Sequence, residues 1–417
     1  MCVCACSGWS KNIIDRVFAS DAKTPERSGT LTFRVLTISK PYVAAAYRQK
    51  VLALSELDGA ECGLICPEQW GNQSFEPDSS SDSKYWLKRL PIVFNGKNHF
   101  HYYRGLDKAI REFKPDLINI EEEHYSFVTF QVARIANKMK VPYVFYTWQN
   151  LHKRYPPPFS WIEKYIFATC SGGITGNCEA IEVLKKKGYS RLVREIPQMG
   201  ISWNQFTVEK FPGGKSAAIA ASRRALNLPQ DKMVVGYVGR FVEEKGLEDL
   251  VQAATLLDPN LQRKILFVLL GNGPFQARLD ELMKKKNVRQ LFEVRSFVPS
   301  NEVARYMQAM DVLCLPSRTR NNWKEQFGRV LIEAMAAEAV VLGSSSGEIP
   351  NVIGNDGLVF QEQNPEALAE ALRKCLEDPD LLRVLAKRAA TKAKSKFTHD
   401  AIALQFFELF QEILGRR

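Results

Sequence analysis

The chain has no uncharged apolar run near the ~20 residues that a membrane-spanning helix requires, so we expect a soluble or peripheral protein. It also lacks a Cys-x-x-Cys pair with histidines at zinc spacing, and its 9 cysteines are an odd number. Neither a zinc site nor a complete set of disulfides is therefore indicated. Residues 1–30 lack the apolar core of a secretory signal, and we expect a flexible extension there. These absences favour a reducing, cytoplasmic setting.

Positive charge is in excess but is not concentrated in one region. The net charge of +11 divides into +1 over residues 1–30, +6 over 31–210 and +4 over 211–417. A nucleic-acid-binding protein usually gathers its charge on one stripe with a recognisable motif. The densest run, Lys185 to Lys187 before Gly188, instead fits a helix end, where cations suit the helix dipole. We expect no nucleic-acid partner and leave open a peripheral contact with the inner face of a membrane.

Strand and helix patterns alternate along the chain, which is typical of parallel α/β layers. The predicted strands include 31–39, 116–120, 142–146, 232–238, 265–270, 311–316 and 340–343. The predicted helices include 47–57, 127–139, 159–169, 247–257, 277–286, 327–338, 365–377, 380–395 and 400–414. We predict two Rossmann-like, doubly wound α/β domains that face each other across a cleft, with ligands at the carboxyl ends of the strands.

The domain boundaries follow from the glycines and prolines of residues 200–217. We predict an N-terminal domain over 31–212 and a second domain over 213–396. The last segment, 397–417, carries an apolar-rich helix that we expect to pack back on the first domain.

Two glutamates flank the start of one predicted helix. In WKEQFGRVLIEAMA, Glu325 precedes a helix that we expect to begin near Phe327, and Glu333 lies within it. At about 1.5 Å per residue, the two carboxylates would lie about 12 Å apart along the axis. The free N–H groups near Phe327, Gly328 and Arg329 would lie between them, and this end of a helix attracts phosphate. With a diphosphate bound there, one carboxylate would accept hydroxyls of a sugar and the other would accept hydroxyls of a ribose. The alternative is a surface helix with two solvated glutamates.

The strand ends of the second half carry further candidates. Arg240 and Lys245 follow the strand in GYVGRFVEEKG. The planar guanidinium of arginine can donate two parallel hydrogen bonds and the ammonium of lysine is a compact charge, so the pair suits two phosphates. Gly271 and Gly273 end the next strand, although this Gly-x-Gly lacks the third glycine of a dinucleotide fingerprint and also fits a plain turn.

Three other patterns are weaker. His99 and His101 share one strand face but have no further metal ligand nearby in the sequence. The Asp-Pro-Asp at 378–380 has the residue pattern of a metal-binding Asp-x-Asp motif, but it lies between two predicted helices. Asp-Pro at that position is typical of a helix start. The aromatic residues around the turn at 156–158 are typical of core packing, yet beside Lys153 and Arg154 they also suit contact with a sugar or a lipid headgroup.

Several segments of the second half match one known family when taken together. They are GYVGRFVEEKGLEDLVQA, FVLLGNGPF, SFVPSNEVARYMQAMDVLCLPS, EQFGRVLIEAMA and SSSGEIPNVIGNDGLVF. They cover roughly residues 235–395 in family order, and similarity over 31–230 is weaker. The chain therefore resembles the retaining GT-B glycosyltransferases of the glycosyltransferase group 1 family.

The resemblance implies roles for individual residues of the second half. Arg240 and Lys245 would hold the donor diphosphate, Glu325 would contact the donor hexose, and Glu333 would contact the ribose. Phe297 and Val298 would lie near the base. The remaining donor-side residues are those of the strand end and the helix start: Gly271, Gly273, Phe327, Gly328 and Arg329.

The first half departs from the family in two places. Many members have a glycine-rich loop after the first strand, but this loop, Ser39 to Ala44, contains no glycine. Charge from Lys40 would replace the close approach of phosphate to the backbone. We assign Lys40 and Tyr42 to the acceptor side. Where some members place a histidine near the reacting centre, this chain has Glu121 or Glu122, with His124 close by. Three adjacent carboxylates would raise one another's pKa, which suits proton handling at an acceptor hydroxyl; an acidic helix start is the equal alternative. Trp148 is a further acceptor-side candidate.

The leading hypothesis is a retaining transferase that moves a hexose from a UDP-, GDP- or ADP-sugar to a hydroxyl of a lipid, a polysaccharide or a small molecule. We expect no cofactor and no catalytic metal. Glu325, Arg240, Lys245, Glu121 and Glu122 are the predicted catalytic residues. A sugar phosphorylase or a nucleotide-sugar epimerase keeps the fold and changes the reaction, and a two-lobed sugar-binding protein is the non-enzymatic alternative.

Overall fold

A computed structural model of the chain describes residues 32–296 and 298–415. The predicted extension at 1–30 and the predicted base contact at Phe297 lie outside the described residues. Predicted and observed elements agree closely: the helices Phe127–Met139, Phe159–Thr169 and Pro365–Glu377 and the strand Ile265–Leu270 are confirmed to the residue.

The first half forms a seven-stranded parallel sheet in the order β11-β10-β9-β8-β1-β2-β5. Its strands are β1 (Phe33–Ile38), β2 (Ala60–Pro67), β5 (Trp86–Leu90), β8 (Leu117–Ile120), β9 (Tyr143–Thr147), β10 (Gly172–Thr175) and β11 (Val193–Glu195). Two short antiparallel hairpins accompany it, β3 (Gln69–Trp70) with β4 (Gln73–Ser74), and β6 (Ile92–Val93) with β7 (Tyr102–Tyr103). The central strands are buried along their whole length because helices cover both faces of a parallel sheet.

The second half repeats the plan with six parallel strands in the order β14-β13-β12-β15-β16-β17. They are β12 (Met233–Val238), β13 (Ile265–Leu270), β14 (Phe292–Arg295), β15 (Val312–Leu315), β16 (Val340–Ser344) and β17 (Leu358–Phe360). In each sheet the strand order reverses once, between β1 and β8 in the first sheet and between β12 and β15 in the second. Ligands of open α/β sheets bind at such reversal points.

The helices of the first domain are α1 (Ala45–Ser55), α2 (Leu106–Phe113), α3 (Phe127–Met139), α4 (Phe159–Thr169) and α5 (Cys178–Lys186). Those of the second are α6 (Trp203–Phe206), α7 (Gly214–Leu226), α8 (Leu247–Leu256), α9 (Pro259–Arg263), α10 (Gln276–Lys285), α11 (Ser300–Ala309), α12 (Arg329–Ala336), α13 (Ile349–Ile353), α14 (Pro365–Glu377) and α15 (Pro379–Lys396). The last helix is α16 (His399–Ile413). As the lysine run predicts, α5 ends at Lys186, and Gly188 follows in the left-handed conformation.

The chain passes between the two domains twice, at adjacent points. Ile201 donates its N–H to the carbonyl of Phe397 (2.9 Å), and Ile201 and Thr398 form a parallel bridge. Ile201 and Phe206 belong to the core of the second domain, so the first passage lies near residue 200, at the start of the segment 200–217. After the second passage, α16 packs against α1 and buries Phe406 and Phe410 in the core of the first domain.

Candidate active site

Glu325 lies at the reversal point of the second sheet, in the loop that follows β15. Its Oε2 is 2.6 Å from the Nζ of Lys245, which comes from the loop after β12. The same oxygen accepts a hydrogen bond from the hydroxyl of Ser317 (2.9 Å). Glu325 is only 7% exposed, so little water screens this ion pair. The indole of Trp323 covers the ammonium of Lys245 at 5.0 Å, which adds a cation–π contact.

The backbone of Glu325 is fixed as firmly as its side chain. Its carbonyl accepts the N–H of Glu348 (3.1 Å) and lies directly against Gly347. Gly347 adopts a left-handed conformation with φ of 53°, and a Cβ at this position would overlap that carbonyl oxygen. Only glycine allows this approach without strain, so Gly347 helps to set the position of the carboxylate.

Arg240 occupies the loop after β12, on the way to Lys245. Its side chain is exposed and forms no ion pair with any described residue, while its carbonyl is held by the hydroxyl of Tyr237 (2.8 Å). The two cations predicted to bind phosphate therefore differ in their pairing: Lys245 has a carboxylate partner, and Arg240 has none among the described residues.

The helix predicted to begin near Phe327 begins two residues later, at Arg329. Gly328 precedes it with a left-handed φ of 78°, so Phe327 and Glu325 both lie in the loop before the helix. Because Glu325 lies outside the helix, the helical rise of about 1.5 Å per residue does not by itself give the separation of the two carboxylates. Arg329 pairs with Glu333 one turn later (3.0 Å). Burial raises the pKa of the Glu333 carboxyl, and the charge of Arg329 partly opposes this shift.

Gly271 and Gly273 contact protein backbone. A Cβ on Gly271 would overlap the carbonyl oxygen of Gly239, and one on Gly273 would overlap that of Phe241. The N–H of Phe241 also bonds to the carbonyl of Asn272 (2.7 Å). The glycines thus let the loop after β13 pack against the loop that carries Arg240. Val298 is partly buried and packs against the core of the second domain.

The first domain presents its own polar group at the reversal point between β1 and β8. Glu121, which follows β8, is buried and lies 2.5 Å from the Nζ of Lys50. It also accepts hydrogen bonds from the hydroxyl of Tyr42 (2.8 Å) and the amide of Asn119 (2.9 Å). Burial lowers the pKa of Lys50, although the charge of Glu121 opposes that shift.

The next two carboxylates have different partners. Glu122 forms an ion pair with the ammonium of Lys40 and accepts the backbone N–H of Lys40 (2.8 Å). Glu123 accepts the hydroxyl of Thr147 (2.6 Å) and the N–H of Trp148 (3.0 Å). Each of the three carboxylates therefore has its own set of donors. Lys40 therefore already has a carboxylate partner, as Lys245 has in the second domain.

His124 is directed away from this group. Its Nε2 lies 2.9 Å from Glu163, which also pairs with Lys187 (2.5 Å). The imidazole is fully buried and stacks on Phe167 at 5.2 Å. His124 therefore packs inside the domain and is not part of the acceptor side that the sequence predicted.

A cavity of about 210 Å³ opens beside these carboxylates. The residues that line it come from the carboxyl ends of several strands and include two tryptophans: Lys40, Pro41, Trp70, Glu121, Glu122, Glu123, Tyr146, Trp148 and Gln198. The indole N–H of Trp148 donates to Gln198 (2.9 Å), which fixes the ring at the cavity wall. The lining therefore combines carboxylate and ammonium groups with aromatic rings.

The two domains contact each other through the loop that carries Glu325. Gln326 donates to the carbonyl of Trp148 (2.8 Å), and Asn150 donates to the carbonyl of Glu325 (3.4 Å). Lys324 pairs with Glu179 at the start of α5 (2.7 Å). Phe327 packs its ring 6.0 Å from that of Trp148. Glu325 is therefore positioned by both domains.

Glu348 makes a further contact between the domains. Its Oε2 accepts the N–H of Cys178 (3.2 Å) at the first turn of α5, and the thiol of Cys178 lies 3.4 Å away. Burial and the nearby Glu195 raise the pKa of Glu348 to about 8. A carboxyl group that is this difficult to ionise marks a closely packed, poorly hydrated contact.

Within 32–296 and 298–415, no three or more His, Cys, Asp or Glu residues are placed to hold a metal ion. The Nδ1 of His101 lies 3.0 Å from the carbonyl of Asn98, and its ring packs against Trp70. Asp378 caps α15 by accepting the N–H of Leu381 (2.9 Å), as expected for a helix start. In the same described ranges, no helix has the length and apolar character needed to cross a bilayer.

Four residues with direct roles at the site are not singled out by the sequence: Lys50, Ser317, Trp323 and Glu348. Ser317 could have been predicted as a site residue, because it directly follows the predicted strand 311–316. Ligands of parallel α/β sheets bind at the carboxyl ends of the strands. The side chain of Lys50 pairs with Glu121 and that of Glu348 accepts from Cys178, and each of these partners is more than 70 residues away in the chain. No local pattern indicates such pairings.

Comparison with known proteins agrees with this geometry. A family model described as glycosyl transferases group 1 matches residues 218–392. D-inositol 3-phosphate glycosyltransferase of Corynebacterium urealyticum is 30% identical over 214 residues, which are 49% of this chain and 49% of that protein. Alpha-monoglucosyldiacylglycerol synthase of Acholeplasma laidlawii is 26% identical over 307 residues, 69% of this chain and 73% of the relative. The chain thus spans about half the length of the first of these relatives.

The fold has close counterparts among solved structures. Anabaena HepE in complex with UDP superposes with a TM-score of 0.67 and 17% identity, over 91% of this chain and 100% of that one. At this identity the likeness establishes the fold alone, and it confirms the two-domain GT-B arrangement that the sequence predicts. Residues 218–392 of this chain therefore match the model of the glycosyl transferases group 1 family, within a chain that has the GT-B fold.

Proposed function

We propose that this chain transfers a hexose from a nucleotide sugar to an acceptor hydroxyl, with retention at the anomeric carbon and without a catalytic metal. The observation that carries the proposal is the Lys245–Glu325–Ser317 group at the reversal point of the second sheet. It is joined through Gln326 and Trp148 to the edge of a cavity at the reversal point of the first. The UDP in the HepE structure, the glycosyltransferase named as one relative and the monoglucosyldiacylglycerol synthase named as the other favour the same interpretation.

The donor would bind mainly to the second domain. Arg240, Lys245 and the first N–H groups of α12 would stabilise the negative charge that develops on the departing diphosphate. Lys245 would then exchange part of its contact with Glu325 for a phosphate oxygen, and Glu325 would be released to accept a hydroxyl of the hexose. Glu333 would accept the ribose hydroxyls, since a carboxylate accepts paired hydroxyls well.

The acceptor would enter the cavity of the first domain. Transfer forms a bond from its oxygen to the anomeric carbon and breaks the bond from that carbon to the diphosphate. The hydroxyl proton leaves with the diphosphate or passes to a carboxylate at the cavity, Glu121 or Glu122 being the candidates. Trp70 and Trp148 offer aromatic faces for an uncharged ring, and the surplus of carboxylates in the lining disfavours an acceptor that is phosphorylated there.

A panel of UDP-, GDP- and ADP-hexoses tests the proposal, with diphosphate release followed in the presence of EDTA. We expect release with one donor class and a loss of more than about 100-fold in Lys245→Ala, because a charge that stabilises the transition state is removed. Lys285→Ala, an exposed lysine of α10, is the control and keeps full activity. Turnover of a folded Lys245→Ala variant at the native rate would contradict the assignment.

The same panel separates the alternatives. Formation of sugar phosphate from orthophosphate would indicate a phosphorylase, and conversion of the donor sugar alone would indicate an epimerase. Binding of free sugar without any effect of nucleotide would indicate a sugar-binding protein. The anomeric configuration of the product, read by NMR, decides between retention and inversion.

A further inference from the structure

His101, which directly precedes β7, lies against the wall of the first-domain cavity. It is fully buried, and its ring packs on Trp70, which lines the cavity, with the ring centres 4.8 Å apart. Its Nε2 is 4.0 Å from the Oε1 of Glu122, which lines the same cavity. A histidine is thus placed beside one of the two carboxylates that are candidates to receive the acceptor proton.

The contact of the other ring nitrogen fixes the tautomer of His101. Its Nδ1 lies 3.0 Å from the carbonyl of Asn98, and because a carbonyl oxygen only accepts, Nδ1 carries the proton. Burial lowers the pKa of the imidazole; the charge of Glu122 opposes this shift, and the charge of Lys40 adds to it. The ring is therefore neutral at pH 7, and its Nε2 presents a lone pair.

That lone pair has no donor. Among the residues that the structure describes, no N–H or O–H group donates to the Nε2 of His101. The hydroxyl of Tyr103, whose ring centre is 6.2 Å from that of His101, is itself unpartnered within the same residues. A buried acceptor without a donor costs free energy, and the facing carboxylate of Glu122 has only acceptor atoms while it is ionised. A proton on Glu122 would supply the missing donor.

The two neighbouring carboxylates of the lining face donors. Glu121 lies 2.5 Å from the ammonium of Lys50, and Glu123 accepts the backbone N–H of Trp148 (3.0 Å). A proton arriving at either carboxylate would compete with a donor that is already in place. The unpartnered lone pair of His101 therefore distinguishes the carboxylate between them.

The cation that pairs with Glu122 also differs from the one that pairs with Glu121. Lys40 lines the cavity and its side chain is 20% exposed, so an acceptor can compete for its ammonium. The side chain of Lys50 is only 3% exposed. A hydroxyl that enters the cavity can therefore take the place of Lys40 beside Glu122, whereas Glu121 keeps its cation.

We propose that His101 is a positioning residue that makes Glu122 the carboxylate to which the acceptor hydroxyl gives its proton. This inference rests on the proposed function and decides between the two carboxylates that it leaves open. In the transfer step the acceptor O–H bond breaks, and its electron pair forms the bond to the anomeric carbon. The bond from that carbon to the diphosphate breaks, and its electron pair leaves with the diphosphate.

The proton passes to Glu122, which then donates it in a hydrogen bond to the Nε2 of His101. A shift of about 1 Å brings these two atoms from 4.0 Å to hydrogen-bond distance. The proton returns to water when the product leaves the cavity. His101 itself stays neutral and acts only through Glu122.

Nitrogen NMR of the imidazoles tests the contact without any substrate. The chain has 5 histidines, so labelling them with ¹⁵N gives a simple spectrum, and His101→Gln identifies the signals of His101. In the native chain we expect a proton on Nδ1 and none on Nε2. In Glu122→Gln, whose amide N–H stands in for the protonated carboxyl, we expect the Nε2 resonance to move toward that of a hydrogen-bonded nitrogen. Glu123→Gln, at the next carboxylate of the lining, is the matched control and leaves that resonance in place.

Donor turnover tests the role. The probe is the UDP-, GDP- or ADP-hexose that the panel selects, with water as the acceptor. We expect His101→Phe to lower kcat for diphosphate release about tenfold and to leave the KM of the donor unchanged, because phenylalanine keeps the packing on Trp70 but has no lone pair. His101→Gln, whose side-chain oxygen accepts a hydrogen bond, restores most of the rate. His152→Gln, at an exposed histidine, is the control.

Three outcomes overturn the proposal. They are an Nε2 resonance that does not move in Glu122→Gln, a native kcat in a folded His101→Phe variant, and equal losses in His101→Phe and His101→Gln, which would show that the ring only packs. No diphosphate release by the native chain with any donor would contradict the proposed function and, with it, the transfer step. The nitrogen resonances decide the contact between His101 and Glu122 in either case.

Discussion

Glu325 gains its chemical character from its immediate neighbours. A carboxylate that is 7% exposed is costly to bury unless a cation and a donor face it; Lys245 comes from the loop after β12, and Ser317 comes from the same loop as Glu325. The same contacts orient the carboxylate in advance of any ligand. At the residue scale, the site is thus preorganised by charge pairing.

Ser317→Ala is the mildest test of that preorganisation. It removes one hydrogen bond to a charged group, which is usually worth about 1.5–3 kcal/mol, so we expect kcat/KM for diphosphate release to fall about 10- to 100-fold. Steady-state kinetics across donor concentrations measure the change. Ser395→Ala, at an exposed position near the end of α15, serves as the control. Native kinetics in a folded Ser317→Ala variant would contradict the role of this hydroxyl.

Gly347 allows a second residue-scale prediction with an internal reference. Both Gly347 and Gly71 have left-handed backbones, with φ of 53° and 58°, but a Cβ on Gly71 meets nothing within 4 Å. Gly71→Ala therefore adds strain alone, and Gly347→Ala adds strain plus overlap with the Glu325 carbonyl. We expect Gly347→Ala to lower the free energy of unfolding by about 1–3 kcal/mol more than Gly71→Ala. Chemical denaturation of both variants gives the difference, and equal losses would contradict the close approach.

At the scale of elements, the loop 324–326 and the first turn of α5 form the join between the domains. Lys324 of this loop pairs with Glu179 (2.7 Å), and Glu348, which precedes α13, accepts the N–H of Cys178 (3.2 Å). The carboxyl of Glu348 faces a helix N-terminus, yet burial dominates its ionisation and raises its pKa to about 8, with Glu195 adding repulsion. This contact is therefore more sensitive to pH than an ordinary ion pair.

The sign of that dependence can be predicted. An unfolded glutamate has a pKa near ~4.3, so between about pH 4 and pH 8 the folded state holds a proton at Glu348 that the unfolded state has lost. The free energy of unfolding from this group should fall as pH rises through that window and level off above it. Glu348→Gln should flatten the profile between pH 5 and pH 8.5. Denaturation curves at several pH values give the free energy of unfolding of the native chain and of Glu348→Gln. The same slope of that free energy against pH in both proteins would contradict the burial of this carboxyl.

At the scale of the whole molecule, the C-terminal helix completes the domain that begins the chain. Phe406 of α16 is 1% exposed, and the ammonium of Lys50 lies 4.0 Å from its ring. Lys50 in turn pairs with Glu121 beside the cavity. The last helix therefore supports the first domain both by apolar burial and through this cation.

Phe406→Ala tests this closure of the fold. Truncation of a buried phenylalanine costs about 3–5 kcal/mol, and we expect the loss in the stability of the first domain although the residue is near the end of the chain. Hydrogen exchange of β1 and β8 measures it locally, and chemical denaturation measures it globally. Val384→Ala, on the exposed side of α15, is the control. Exchange that increases only in the second domain would contradict the proposed packing.

Much of the fold could be predicted because its information is local. Buried runs such as ILFVLL and the amphipathic PEALAEALRKCLE carry their own periodicity, and the glycine after the lysine run marks the end of α5. The helix α12 begins two residues later than its sequence pattern predicts, because Gly328 adopts a left-handed conformation. Glycine allows this conformation but does not require it, so the sequence alone does not indicate it. The role of His124 was also misjudged, since its partner Glu163 is 39 residues away.

The sequence by itself determined the two α/β layers, the family resemblance and the residue types of the donor side, because strand burial, helix periodicity and loop motifs are local properties. Only the tertiary structure decided which charges are paired: Lys40 with Glu122, Lys50 with Glu121, and Lys245 with Glu325. It also decided that Arg240 remains without an ion-pair partner among the described residues. The physical reason is that Coulomb energy and desolvation depend on distance in space, and the loops that supply these groups meet only where the strand order of each sheet reverses.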